Sequence, residues 1–204
     1  MLATENEKYY ARHQHDKIVY ELLNKRKNGF FIDIGATDGI TSNNSFKFEK
    51  DWGWNGICIE PNKPFYDKLI ENRQCHCFNI CVGSELQNGL VAFREDKGNG
   101  ELSSISSFND FSYFTPCLSL NKIVQSMNIT NIDFLSIDTE GNELNIIKDI
   151  DFDNINIECI CYEHNKHFGE MWLIKSLAID NMLRQSGYEK VMDLDSDSIF
   201  IKKK

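Results

Sequence analysis

At four places this 204-residue chain sets acids directly after an apolar stretch, and at three of them the acids stand with glycine or histidine. They are Asp33-Ile34-Gly35-Ala36-Thr37-Asp38-Gly39, then Glu60, then Asp138-Thr139-Glu140-Gly141, and finally Glu163-His164-Asn165. Glycine in the first run lets the backbone bend sharply and lie against a ligand with no Cβ in the way. The run is not a dinucleotide-binding G-x-G-x-x-G loop, because Ala36 or Thr37 stands where its middle glycine would be. Pyrophosphate needs bare backbone and an open helix N-terminus. An acid-lined loop containing Asp33 and Asp38 instead suits a ligand with positive charge, such as the sulfonium and ammonium groups of S-adenosylmethionine. Glu60 stands where an acid accepts hydrogen bonds from both hydroxyls of a ribose.

The last two runs suggest what such a cofactor would be used for. An aliphatic hydroxyl is a weak nucleophile at neutral pH, so methyl transfer to it gains from a general base or from a metal that lowers its pKa. Asp138, Glu163 and His164 could supply either. As a trio they suit a hard divalent ion, Mg2+ or Mn2+, since two of the donors are carboxylates. Alternatively His164 is the base and Asp138 touches cofactor or substrate, with no metal. His13 and His15 read as solvated N-terminal histidines, His76 and His167 have no assigned role, and Trp52, Trp54 and Trp172 read as packing residues.

The elements that must position these groups follow from periodicity. Ile18, Val19, Leu22 and Leu23 recur at helical spacing, ending at Gly29. Residues 30–34, 56–60, 77–82, 132–137 and 155–162 are short apolar runs, as expected of parallel strands buried on both faces. Asn62 and Pro64 begin a helix carrying Phe65, Leu69 and Ile70. Others begin near Leu118, with Leu120, Ile123 and Val124, and over 143–150 and 171–186. Residues 84–112 read as an excursion or lid, and 188–194 with 199–202 as a closing antiparallel hairpin. The expectation is one Rossmann-like α/β domain over residues 29–204, preceded by an N-terminal helical segment over 1–28. Its seven-stranded, mostly parallel sheet is covered on both faces, with ligands at the carboxyl ends of the strands.

A net charge of −9 opposes the long-range attraction that nonspecific nucleic-acid binding uses, so a nucleic-acid substrate is disfavoured. No apolar run approaches the roughly 20 residues of a membrane span, and residues 1–15 lack a secretory h-region. The pairs Cys75/Cys77 and Cys159/Cys161 lack zinc-site spacing and read as buried reduced thiols on strand faces, which suits a cytoplasmic location.

The chain resembles the FkbM-type methyltransferases. The resemblance runs from about His15 onward, through residues 16–19, the block Phe31 to Asn43, the block Gly53 to Asn62 and the block Ile132 to Glu143. It implies the class I methyltransferase fold, S-adenosylmethionine as donor, and O-methylation of sugars, glycolipids or polyketide hydroxyls. By that likeness the loop residues Asp33, Gly35, Asp38 and Gly39, with Ala36 between them, line the methionine end of the cofactor. Glu60 holds the ribose, Asp138 faces the reactive centre, and Ser42-Asn43 lies near the cofactor carboxylate. Thr37 departs from the Asn that many members carry. Fusion to glycosyltransferases is also implied for such domains. The expected function is O-methylation of a sugar or glycan hydroxyl. The competing expectations are a nicotinamide-dependent oxidoreductase on a similar sheet and a noncatalytic adenosyl-binding module.

Overall fold

The computed structural model describes residues 8–98 and 100–203, so residues 1–7 of the expected N-terminal segment lie outside the described residues. The chain runs α1 (His15–Leu22), β1 (Phe30–Ile34), α2 (Phe46–Trp52), β2 (Asn55–Ile59), α3 (Lys63–Asn72), β3 (His76–Phe78) and β4 (Cys81–Gly83). It continues through β5 (Gly89–Arg94), β6 (Ser104–Ile105), β7 (Tyr113–Ser119), α4 (Leu120–Ser126), β8 (Asn131–Ile137) and α5 (Glu143–Ile147). The last elements are β9 (Asn156–Glu163), α6 (Glu170–Gln185), β10 (Tyr188–Leu194) and β11 (Asp197–Lys202).

A seven-stranded sheet has the order β3-β2-β1-β8-β9-β11-β10. The strands from β3 to β9 pair in parallel, and β11 alone is reversed, running antiparallel to both β9 and β10. Because successive side chains point to opposite faces, each central strand feeds two cores. Ile32, Ile57, Leu135 and Ile160 pack on one face with Ile123 of α4, Ile146 of α5 and Ile179 of α6. Phe31, Cys58, Phe134, Cys159 and Cys161 pack on the other with Val19 of α1, Phe48 of α2 and Leu69 of α3. Two buried faces explain why these strands read as unbroken apolar runs. Trp52 stacks on Tyr20 with ring centroids 3.6 Å apart, and buried Trp54 donates Nε1–H to the Arg26 carbonyl.

Two stretches differ from the sequence expectation. The run 77–82 divides between β3 and β4, which belong to different sheets. At the break, Asn79 donates its side-chain N–H groups to the carbonyls of Glu60 and Pro61, tying the chain to the end of β2. The excursion is largely ordered as a second sheet of order β4-β7-β5-β6. Leu118 belongs to β7, not to the following helix, which begins where Ser119 Oγ accepts the Lys122 N–H. The two arrangements compete for the same apolar residues, and pairing of β7 with β4 and β5 satisfies its backbone along its length.

Candidate active site

The parallel strands deliver their carboxyl ends to one cavity of about 340 Å³. Gly35 N–H donates to the Ile59 carbonyl and Asp138 N–H to the Ile34 carbonyl, so the exits of β1, β2 and β8 are locked together. Of the residues expected to bind cofactor, Asp33, Gly35, Ser42, Asn43, Glu60 and Asp138 line this cavity. Ala36, Asp38 and Gly39 do not. Asp38 instead folds its own loop: Oδ1 accepts the N–H groups of Ile40 and Thr41, and these bonds hold its carboxyl below the usual range despite partial burial. Gly39 allows close packing, since a Cβ there would stand 2.6 Å from Leu69 Cδ1.

Asp33 is braced from behind the loop. Its Oδ2 accepts from Ser45 Oγ at 2.6 Å and Asn43 Nδ2 at 2.9 Å. Buried Arg73 donates in turn to Ser45 Oγ, to Asn43 Oδ1 and to the Gly39 carbonyl. Burial nevertheless raises the Asp33 pKa. Ser45 and Arg73 carry no sequence signal, because an isolated serine and a helix-end arginine are common on solvated surfaces. Glu60 accepts Thr37 N–H on Oε2 at 2.9 Å and Asn62 N–H on Oε1 at 2.7 Å. Burial pushes its pKa up to about 7.

At the other end of the cavity the carboxyl groups of Asp138 and Glu163 lie together, with oxygens within 4.8 Å of one another. Burial, then neighbouring carboxylates, raises both pKa values well above the ordinary range, so the pair retains a proton at neutral pH. Oε2 of Glu163 is buried without a partner. Glu140 completes a set of oxygens within 4.8 Å of one another, a place the sequence reading gave to His164. His164 is buried but does not line the cavity. Its backbone N–H is held by the Ser196 carbonyl, its Nδ1 accepts Lys166 N–H, and its Nε2 lies 3.3 Å from Asp193 Oδ1. The structure therefore brings Asp138 and Glu163 together and leaves His164 apart from them.

His15 does line the cavity, and at 1% exposure it is not the solvated residue its position suggested. Asp16 explains this, because its carboxylate accepts the N–H groups of Tyr10 and Ala11 and folds the N-terminal segment against the domain. Ala11 in turn bridges to Ser42. Residues 100–105 from the excursion form a further wall. Asn62 holds that wall, donating to the Gly100 carbonyl and to Ser103 Oγ. Thr37, Ser42, Glu140 and Asn165, all on the cavity lining, have left-handed φ values between 44° and 54°. Strained backbone of this kind concentrates at ligand sites.

The strand order, with its single reversed strand and a carboxyl-edge cavity, defines the class I methyltransferase fold. A family model described as the methyltransferase FkbM domain matches residues 33–190, and the chain belongs to that family. Among solved structures it is similar to a methyltransferase FkbM from Methylobacillus flagellatus KT, with TM-score 0.54 and 12% identity over 85% of this chain and 43% of that one. It is also similar to the METTL16 MTase domain, with TM-score 0.53 and 12% identity over 99% and 71% of the respective chains. A precorrin-6y C5,15-methyltransferase from Geobacter metallireducens GS-15 gives TM-score 0.51 and 12% identity over 98% and 96%. At such identities the structures share the fold. Comparison with curated proteins gives no match. Among the described residues no helix is long and apolar enough to cross a membrane.

Proposed function

We propose that the domain transfers a methyl group from S-adenosylmethionine to a hydroxyl oxygen of a sugar or glycan. The observation that carries this reading is the sharing of one cavity by Glu60 at the β2 exit and the closely spaced carboxyls of Asp138 and Glu163 at the β8 and β9 exits. The residues fit the donor. Gly35 leaves backbone bare where any side chain would clash, and Glu60 keeps one lone pair on each oxygen for ribose hydroxyls after accepting its two backbone bonds. Ser42 offers polar groups for the amino-acid end, Asn43 beside it braces Asp33, and the surrounding carboxylates favour a cationic ligand. S-adenosylmethionine, when bound, supplies an electrophilic methyl group on a positively charged sulfur.

The chain's own part is to orient the acceptor and take its proton. In this reading a carboxylate of the Asp138–Glu163 pair accepts the proton as the acceptor oxygen forms its bond to the methyl carbon and the carbon–sulfur bond breaks. His164 has no place in this scheme, because it faces Asp193 outside the cavity. A hard divalent ion at Asp138, Glu140 and Glu163 is the second reading, favoured by the unpartnered Oε2 of Glu163. Calorimetry with S-adenosylhomocysteine, then methyl transfer to a panel of free sugars and glycans with chelator or Mg2+, tests both. Failure to bind S-adenosylhomocysteine overturns the donor assignment, and activity unchanged by chelator removes the ion.

A further inference from the structure

Next to the carboxylate pair, one buried ring nitrogen is left without a partner. His15 Nδ1 lies 3.2 Å from Asn44 Oδ1, and Asn44 is held in that orientation because its Nδ2 donates to Ser136 Oγ at 3.0 Å. An amide oxygen only accepts, so Nδ1 carries the proton and Nε2 presents a lone pair. That lone pair faces Asp197, whose Oδ2 is 3.8 Å away with no hydrogen bond between them. Cys161 completes the group: an imidazole nitrogen, the Sγ and a carboxylate oxygen all lie within 4.8 Å of one another. All three residues are buried, on α1, β9 and β11, and nothing in their sequence spacing announces them as a set.

Electron-pair donors buried face to face are costly unless something positive lies between them. We propose that His15, Cys161 and Asp197 bind one divalent transition-metal ion of the Zn2+ class, with its remaining coordination position open toward the cavity. Mixed nitrogen, sulfur and oxygen donors select a borderline-soft ion, not Mg2+. Three protein ligands with an open position are the pattern of reactive zinc sites, whereas structural sites are closed by four. Supporting contacts are in place, with Asn44 and Ser136 orienting the imidazole and Ser196 Oγ donating to Asp197 Oδ2 at 3.1 Å. Binding converts the Cys161 thiol to thiolate and releases one proton to solvent. The open position takes water or an oxygen of the acceptor. The site is independent of the O-methylation reading, since it can be loaded with metal alone.

The test is titration of the chelator-treated chain with Co2+, followed by its absorption spectrum. The expected result is one ion per chain, visible bands of low coordination number and a near-ultraviolet thiolate-to-cobalt charge-transfer band, displaced by Zn2+ and not by Mg2+. Cys161→Ser should abolish the charge-transfer band, and the double variant C75S/C77S should keep it. Asn44→Leu should keep the band and weaken affinity by about 10–100-fold. Circular dichroism checks folding; if Cys161→Ser does not fold, His15→Gln replaces it, with loss of stoichiometric uptake expected. The proposal is overturned by absence of uptake, by displacement with Mg2+, or by a charge-transfer band that survives Cys161→Ser and is lost in C75S/C77S.

Discussion

The backbone carbonyl oxygen of Asp138 lies 1.7 Å from the position a Cβ on Gly35 would occupy, so the turn after β1 and the exit of β8 exclude any side chain between them. Gly35 also has φ +86°, a left-handed value that L side chains rarely adopt. Gly35→Ala should therefore force β1 and β8 apart at the cavity, at a cost of about 3 kcal/mol or more. Urea denaturation should show the loss of stability and calorimetry the loss of S-adenosylhomocysteine binding; a variant of unaltered midpoint and affinity would show that the two exits are not locked.

Glu163→Gln removes the carboxyl beside Asp138 while keeping its shape. Methyl transfer should fall by about 10²–10⁴-fold, the usual contribution of a general base. Affinity for S-adenosylhomocysteine should change little, because no donor contact is assigned to Glu163. A fall in affinity with kcat preserved would place Glu163 in donor binding.

Stability should depend on pH through the buried acids. Glu60 and Glu140 are each pushed to about 7 from 4.5, chiefly by burial, so the folded chain binds more protons than the unfolded chain between those values. Stability must then fall as pH rises toward about 7. His15 and His164, both lowered from 6.5, act in the opposite sense below that value, so the acids alone govern the range above it. The ligand-free melting temperature should decline from about pH 6.5 to about pH 7.5, and Glu60→Gln should shallow the decline. A flat profile identical in the variant would show that Glu60 is not desolvated in the free chain.

Thr37 is β-branched at φ +47°, a conformation in which its side chain crowds the backbone. Asn tolerates this region far better. Thr37→Asn should stabilise the chain by about 1 kcal/mol in urea denaturation. The Thr37 N–H bond to Glu60 uses backbone and would survive, so S-adenosylhomocysteine affinity should be retained. A destabilised variant would mean that the threonine side chain supports the loop.

Much of the frame was legible because local pattern suffices for it. Apolar runs bounded by glycine and acid placed β1, β2, β8 and β9 to within a residue or so, and the same runs located the acids at their exits. The run 77–82 was not legible as two strands, because both halves are apolar and only the tie from Asn79 to β2 separates them. The small sheet was missed for a related reason. Its outer face exposes Leu90, Phe114 and Leu118, so β5 and β7 lack a clean alternation of apolar and polar residues.

The sequence by itself determined which elements form and that carboxylates gather at the strand exits, since burial on both faces and turn chemistry are written in neighbouring residues. Only the tertiary structure decided which side chains enter the cavity. The reversed strand β11 brings Asp197 beside Glu163, the Ser196 carbonyl fixes His164 facing Asp193, and the Asp16 carboxylate folds the N-terminal segment so that His15 takes the inner position. The physical reason is that a side chain's direction at a strand end depends on the distant backbone that pairs with it, information no local run of residues contains.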